Sequence, residues 1–181
     1  MLNGVKVIII SAVSIDGVIG IDEKIPWKIP EDFKHFRDIT IGNLLIIGYN
    51  TFETLPAKAL ENREYMVLNG DNPFPKKSVA ITYRFKELNT VLQLIGSGKN
   101  KFDKVFVAGG AMVYEAFMEY ADEAIITWVN KTYPEGNKKF PIDKLFSNFD
   151  EYSDQDWQKS KSGLSYKITY YKRSDGSPKK T

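Results

Sequence analysis

Short, continuously apolar runs alternate along this chain with segments whose apolar residues recur every three or four positions. Residues 5–13 are β-branched and almost wholly apolar, the pattern of a strand covered on both faces. Pro30-Glu31-Asp32 opens an amphipathic helix running to Ile39, with proline suited to a first helical turn. Residues 43–48 predict a second buried strand, 50–54 a helical turn, and 64–68 a third strand. Asn69-Gly70-Asp71-Asn72-Pro73 is dense in turn formers. Residues 78–81 read as a short strand, and Thr82 as the cap of a helix. In that helix Phe85, Leu88, Val91, Leu92 and Ile95 recur at helical spacing before Gly96 ends it.

Further on, residues 104–108 form a predicted strand that runs into Gly109-Gly110 and a helix over 111–120. Residues 124–130 and 166–172 supply two more strands. Residues 131–150, with Pro134, Gly136 and Pro141, read as a long excursion. Strands joined by crossover helices imply an α/β fold with a mostly parallel sheet, and the late strands imply an antiparallel edge. No repeat or low-complexity linker divides the chain, so residues 1–173 are expected to form one domain followed by a basic, flexible tail over 174–181.

Composition narrows the chemistry. With 181 residues, 43% of them hydrophobic and 27% charged, the chain can bury a core without staples. Zero cysteines exclude disulfides, thiolate metal sites and cysteine nucleophiles, and a single histidine argues against His-based metal sites. His35 itself is expected to be an exposed helix residue. The net charge of +2 conceals a tail: residues 172–181 sum to +3, leaving −1 for the rest, so no nucleic-acid footprint is expected. The apolar run at residues 5–13 is far short of the ~20 residues a membrane helix needs. The N-terminus also lacks the features of a signal peptide. These readings favour a soluble, cytoplasmic protein without membrane partners.

Three places could carry chemistry. Gly109-Gly110, between a strand and a helix, lets backbone N–H groups face an anion, although glycine pairs also simply make tight turns. Asp32, Phe36 and Ile39 lie at i, i+4 and i+7, which puts a carboxylate on an apolar helix face. There its pKa would rise into the range suited to handling a proton, whereas the plainer reading is an acid favoured by the helix dipole. The third is the glycine-punctuated segment Gly17-Val18-Ile19-Gly20 to Ile25-Pro26-Trp27, a loop able to close over a ligand or, for Trp27, merely to pack in the core.

A set of motifs in fixed order joins these features. They are Asp16-Gly17-Val18-Ile19-Gly20; Ile25-Pro26-Trp27-Lys28-Ile29-Pro30-Glu31-Asp32-Phe33, with Phe36; Ile47-Gly48-Tyr49-Asn50-Thr51-Phe52-Glu53; Arg63; Val107-Ala108-Gly109-Gly110-Ala111-Met112-Val113-Tyr114; Thr127; and Phe140-Pro141. From about Val5 to Lys172 the chain resembles the dihydrofolate reductases. The resemblance implies a three-layer fold with a central eight-stranded, mostly parallel sheet, an antiparallel C-terminal strand and flanking helices. It implies NADPH-dependent reduction of 7,8-dihydrofolate to tetrahydrofolate, which feeds one-carbon metabolism and thymidylate synthesis. It also implies inhibition by antifolates, and a monomer is expected because no extended apolar face is left unassigned.

By that likeness Asp32 would bind the pterin edge and support its protonation, Thr127 would hold the carboxylate, and Trp27 would pack near a water serving that edge. Ile10 and Ala108 would offer carbonyls to the pterin amino group. Phe33, Phe36, Leu55 and Leu60 would line the pocket, and Arg63 would grip the substrate's α-carboxylate. Ala12, Ile19 and Gly20 would face the nicotinamide, and Tyr114 would sit between the two ligands. Gly109, Gly110, Ala111, Met112 and Val113 would cradle the pyrophosphate, helped by the Thr51 hydroxyl. Gly48, Tyr49, Asn50, Leu68 and Asn69 would complete the cofactor side.

Four positions depart from the family pattern. Tyr49 and Asn50 stand where an arginine is common, Asn69-Gly70 follow the third strand where a hydroxyl or basic residue is common, and Met112 replaces a polar or basic residue. All three remove charge from the region of a 2′-phosphate, and Arg84 or Lys76 is the candidate substitute cation. Asn137-Lys138-Lys139 replaces the usual Asp-Thr before Phe-Pro, with a consequence for coupling between loops. Two alternatives are weaker: the related flavin-pathway reductase, which lacks an Asp32-type carboxylate, and a non-catalytic nucleotide-binding protein, which would need none of Asp32, Trp27, Arg63 and Thr127 as a set.

Overall fold

The structure, a computed structural model, describes residues 1–2, 4–55, 61–68, 83–85, 88–97 and 102–176. In chain order these form β1 (Lys6–Ser14), β2 (Val18–Gly20), α1 (Pro30–Thr40), β3 (Leu44–Gly48), α2 (Tyr49–Thr54), β4 (Glu64–Leu68), β5 (Tyr83–Phe85) and α3 (Leu88–Gly96). There follow β6 (Lys104–Val107), α4 (Ala111–Phe117), β7 (Glu123–Val129), β8 (Lys138–Lys139), α5 (Ile142–Asn148), β9 (Phe149–Asp154), β10 (Gln158–Lys159) and β11 (Ser165–Arg173).

Alternation along the central strands builds three layers. On β1, Val7, Ile9 and Val13 face one core while Ile8 and Ile10 face the other. On β3, Leu44 and Ile46 join the first core, and Leu45 and Ile47 the second. Because both faces are covered, these strands read as unbroken apolar runs. Val91 and Ile95 of α3, Phe117 of α4 and Leu145 of α5 fill the first core. Phe36 and Ile39 of α1 and Phe52 of α2 close the second.

The main sheet runs β10-β11-β7-β1-β6-β3-β4-β5, with β9 also paired to β11. It is therefore eight positions wide, β9 and β10 sharing the edge beside β11. The pairs β1–β6, β1–β7, β3–β6, β3–β4 and β4–β5 are parallel, and β11 is antiparallel to β7. This is the architecture expected from the sequence.

Several local expectations need correction. Phe85 belongs to β5, so the helix begins three residues later at Leu88. Residues 131–150 are not wholly irregular, since they hold β8, α5 and the first residues of β9. Val18–Gly20 is a strand paired with β8 rather than open loop. His35 is half-buried, its ring edge-on to Tyr170 at 6.3 Å, and burial lowers its pKa. The expected strand at 78–81 and the Thr82 cap lie outside the described residues.

Candidate active site

The site is created where the sheet opens. β1 pairs with β6 only as far as Ile9↔Val107, but stays paired with β7 to Ser14↔Val129. The edge of β1 beyond Ile9 therefore carries main-chain groups that no neighbouring strand takes. A crevice at the carboxyl ends of parallel strands is where open α/β sheets bind ligands. Ala108, just past β6, turns away by donating to Ile46 O at 2.9 Å, and Gly48 N–H donates to Gly109 O at 2.7 Å.

α1 brings the carboxylate to this crevice. Ile29, almost fully buried, precedes the helix, and Pro30 stands in its first turn. Glu31 is then tied outward, accepting from the Ser160 hydroxyl at 2.6 Å and the Lys161 amide at 3.1 Å. The next residue, Asp32, points inward. Burial pushes its carboxyl up to about 6, against the hydrogen bond from the Thr127 side chain, which favours the charged form. Thr127 stands on β7 in register with Ala12 of β1 and is buried. Asp32 and Thr127, 95 positions apart in the sequence, thus meet across the crevice.

The residues expected around the substrate gather on the α1 face. Ile10, Ala12, Trp27, Phe36, Leu55 and Ala108 all belong to the second core or pack on it, together with Tyr49. Trp27 is buried and tilted against Tyr133, with ring centroids 5.3 Å apart. Phe33, by contrast, is 42% exposed at the rim. Arg63 is buried and donates to Thr40 Oγ1 at 2.8 Å, Glu61 O at 2.8 Å and Arg37 O at 3.2 Å, with its guanidinium 5.6 Å from the Phe36 ring centroid. It thereby ties the Arg37 carbonyl and the Thr40 hydroxyl at the end of α1 as well as standing beside the pocket-lining Phe36. Leu60 lies outside the described residues, as do Asn69, Gly70 and Lys76.

Expected cofactor residues gather on the other side of the sheet's edge. Ile19, Leu68, Val113 and Tyr114 join the first core. The glycines there are closely packed where a side chain would stand. A Cβ on Gly110 would lie 2.8 Å from Thr51 Oγ1, and one on Gly48 3.2 Å from Val113 Cγ2 and 3.6 Å from Gly110 N. Gly109, at φ 99°, lies against the Tyr114 ring and is joined to Gly110 by a cis peptide. The result is a backbone cradle with a hydroxyl at its rim, which fits a pyrophosphate. Val113 N–H is already used by Gly110 O at 3.0 Å, so Val113 contributes its side chain against Gly48. Ala111 follows at the first turn of α4, Met112 is 87% exposed, and Asn50 is exposed. Gly20 sits in β2, opposite Lys138.

Tyr114 is more enclosed than the sequence suggested. Its hydroxyl is buried and donates to Ile10 O at 2.8 Å. Burial raises its pKa, the Ser11 hydroxyl opposes that, and the Asp32 charge adds to it. Sequence reasoning missed three participants: Ser11, Tyr133 and Glu31. Glu31 stood inside a quoted motif and Tyr133 inside the long excursion, but their partners are distant in the chain. Ser11 carried only the weak signal of a lone hydroxyl within an apolar run.

Comparison with known proteins agrees with this geometry. A family model described as dihydrofolate reductase matches residues 6–173. A dihydrofolate reductase of Mycobacterium tuberculosis is 31% identical over 171 residues, covering 92% of this chain and 97% of that protein. One from Staphylococcus aureus is 30% identical over 154 residues, 85% of this chain and 84% of that protein. Among solved structures, dihydrofolate reductase from Enterococcus faecalis, complexed with NADP(H) and RAB-propyl, superposes with a TM-score of 0.78 at 25% identity, covering 96% of this chain and 99% of the other. With its ordered motifs, its eight-position sheet and a half-buried carboxylate at the opening beside β1, the chain belongs to the dihydrofolate reductase family.

Proposed function

We propose that this protein reduces 7,8-dihydrofolate to 5,6,7,8-tetrahydrofolate with NADPH. The observation that carries the reading is Asp32: a carboxyl at the head of α1 whose pKa burial pushes up to about 6, opposed by the Thr127 side chain. A group with that poise can manage a proton near neutrality. A bound NADPH supplies the hydride.

What the chain supplies is alignment, dryness and the proton's setting. Asp32 Oδ atoms hold the pterin edge and favour protonation of the ring nitrogen, and the Thr127 hydroxyl fixes the carboxyl's orientation. Trp27 and Tyr133 close the water side. Ile10 and Ala108 offer main-chain carbonyls, and Phe36 and Leu55 line the pocket. Phe33 and Leu60 complete it, and Arg63 reads the substrate's carboxylate. Gly48, Gly109, Gly110 and Ala111 hold the diphosphate with the Thr51 hydroxyl, while Ala12, Ile19 and Gly20 face the nicotinamide. The working state is a cytoplasmic monomer, and antifolates compete with substrate.

Loss of cofactor absorbance on mixing the protein with dihydrofolate, run in parallel with NADPH and NADH, tests the reading. Turnover with NADPH that Asp32→Asn abolishes near pH 7 is the expected result. No turnover with either cofactor would overturn it in favour of another heterocycle or a fold kept for binding.

A further inference from the structure

Both ends of α1 are held from outside the helix. Its tail is held by Arg63, which donates to Thr40 Oγ1 and Arg37 O. Its head has no side-chain cap, and Pro30 has no N–H to offer. Glu31 ties it instead. One carboxylate oxygen accepts from the Ser160 hydroxyl at 2.6 Å and the other from the Lys161 amide at 3.1 Å. The hydrogen bond from Ser160 holds the Glu31 carboxyl below the usual carboxylate range, so the acceptor is charged near neutrality.

The donor is itself held in place. Ser160 is 4% exposed and lies in the turn between β10 and β11. Its oxygen accepts from the Ser162 amide at 3.3 Å and the Ser162 hydroxyl at 3.2 Å, which leaves its own proton for Glu31. Ser160 N–H to Leu164 O at 2.8 Å and Gly163 N–H to Ser160 O at 2.9 Å close the turn. β11 leaves that turn and pairs with β7, Ile168 standing opposite Thr127. The helix head that carries Asp32 and the strand that carries Thr127 are therefore referenced to one element, β11.

We propose that the Glu31–Ser160 pair is a positioning latch that sets the head of α1, and with it Asp32, at a fixed depth in the crevice facing β7. The inference rests on the proposed activity. Asp32 is the next residue after Glu31, and its own N–H is taken by Ile29 O at 3.1 Å, so the first turn moves as a unit. Releasing Glu31 lets that turn shift away from β7. The carboxyl is then presented less well to the donor edge of a bound heterocycle. The cradle at Gly109 and Gly110 precedes α4, on other elements, and stays as it was.

Two probes, each titrated alone by calorimetry, test this: methotrexate, a 2,4-diaminopteridine whose amino groups are donors, and NADP+. Ser160→Ala and Glu31→Ala should each raise the methotrexate dissociation constant about three- to tenfold, the worth of one hydrogen bond, and the double variant no further. Glu31→Gln, which keeps an acceptor for Ser160, should raise it less than Glu31→Ala. In an Asp32→Asn background neither alanine change should matter, and NADP+ should bind every variant as it binds wild type. An unmoved methotrexate constant, a rise that persists in Asp32→Asn, or an equal weakening of NADP+ shows a merely structural tie and overturns the proposal. If Ser160→Ala fails to fold, Glu31→Ala carries the test on the same terms. Wild-type protein that binds neither probe and turns over no dihydrofolate would instead remove the proposed activity.

Discussion

Asp22 and Asn137, 115 positions apart, exchange two hydrogen bonds: Asp22 N–H donates to Asn137 Oδ1, and Asn137 Nδ2 donates back to Asp22 Oδ1, each at 2.8 Å. Asp22 lies on the segment between β2 and Trp27, and Asn137 lies next to β8, which pairs with β2. The pair is exposed, yet it closes the stretch that carries Trp27 against the segment that carries Tyr133. Beside it, Asp16 Oδ2, in the turn between β1 and β2, accepts from the Tyr133 amide at 2.9 Å and ties the Tyr133 segment to the other end of β2.

An aspartate at position 137 would not reproduce this exchange. Asn137→Asp keeps an acceptor for the Asp22 amide but sets a carboxylate against the Asp22 carboxylate. We therefore expect Asn137→Asp to lower kcat/KM for dihydrofolate more than Asn137→Ala. The Ala variant should lose about two- to fivefold, the worth of exposed hydrogen bonds. Steady-state kinetics of the two variants decide it, and an Asp variant equal to wild type would show that the reciprocal bond does not matter.

Asp32 makes both stability and activity fall as pH rises through about 6. Its folded pKa of about 6 stands above the ordinary 3.8, so between those values the native state keeps a proton that the unfolded chain has lost. Stability from this group is complete below pH 3.8 and is lost as pH rises through 6. Asp32→Asn should therefore be more stable than wild type at pH 8, by up to about 3 kcal/mol, with little difference at pH 4. Urea denaturation at the two pH values checks this, and an equal gap at both would contradict it. The same substitution should cost about 10²–10⁴ in turnover and remove the fall in kcat/KM as pH rises through about 6.

Gly110 is fixed by contact rather than by flexibility, since its φ of −81° is open to any residue. Gly110→Ala should raise the NADPH dissociation constant at least about tenfold, because the new methyl meets Thr51 Oγ1 at 2.8 Å. Thr51→Ala should partly rescue that variant by removing the clashing atom. Cofactor titration of the single and double variants is the measurement, and additive losses would refute the steric account.

Cofactor choice offers a fourth test. Met112 is 87% exposed at the start of α4, so no charge stands at that position. β5 runs parallel beside β4 with Arg84 in register with Val67, next to the strand end where a 2′-phosphate would be read. Arg84→Ala should reduce the preference for NADPH over NADH by about ten- to a hundredfold, as expected for one charge-assisted phosphate contact. An unchanged ratio would remove Arg84 from that role.

Much of this protein is legible in its sequence. The unbroken apolar runs of β1 and β3 declared strands buried on both faces, and the spacing of Asp32, Phe36 and Ile39 declared a carboxylate on an apolar helix face. Those signals are local, because side-chain period and burial are written into neighbouring residues. Phe85 was misplaced for the same reason: its spacing to Leu88 suits a helix, but pairing with β4 takes it into a strand. His35 looked solvent-facing from its own helix, and only β11 beneath α1 put Tyr170 against its ring.

What tertiary structure decided was the partners of polar groups. Glu31 with Ser160, Asp16 with Tyr133, Asp22 with Asn137 and Tyr114 with Ile10 are joined across more than a hundred residues. A buried donor or acceptor must be satisfied, yet nothing in the local sequence says which distant group will satisfy it. The sequence by itself determined which elements form, which faces they bury and that a carboxylate would enter an apolar setting. Folding decided where β1 parts from β6, and hence that the Tyr114 hydroxyl would meet the Ile10 carbonyl at an open edge.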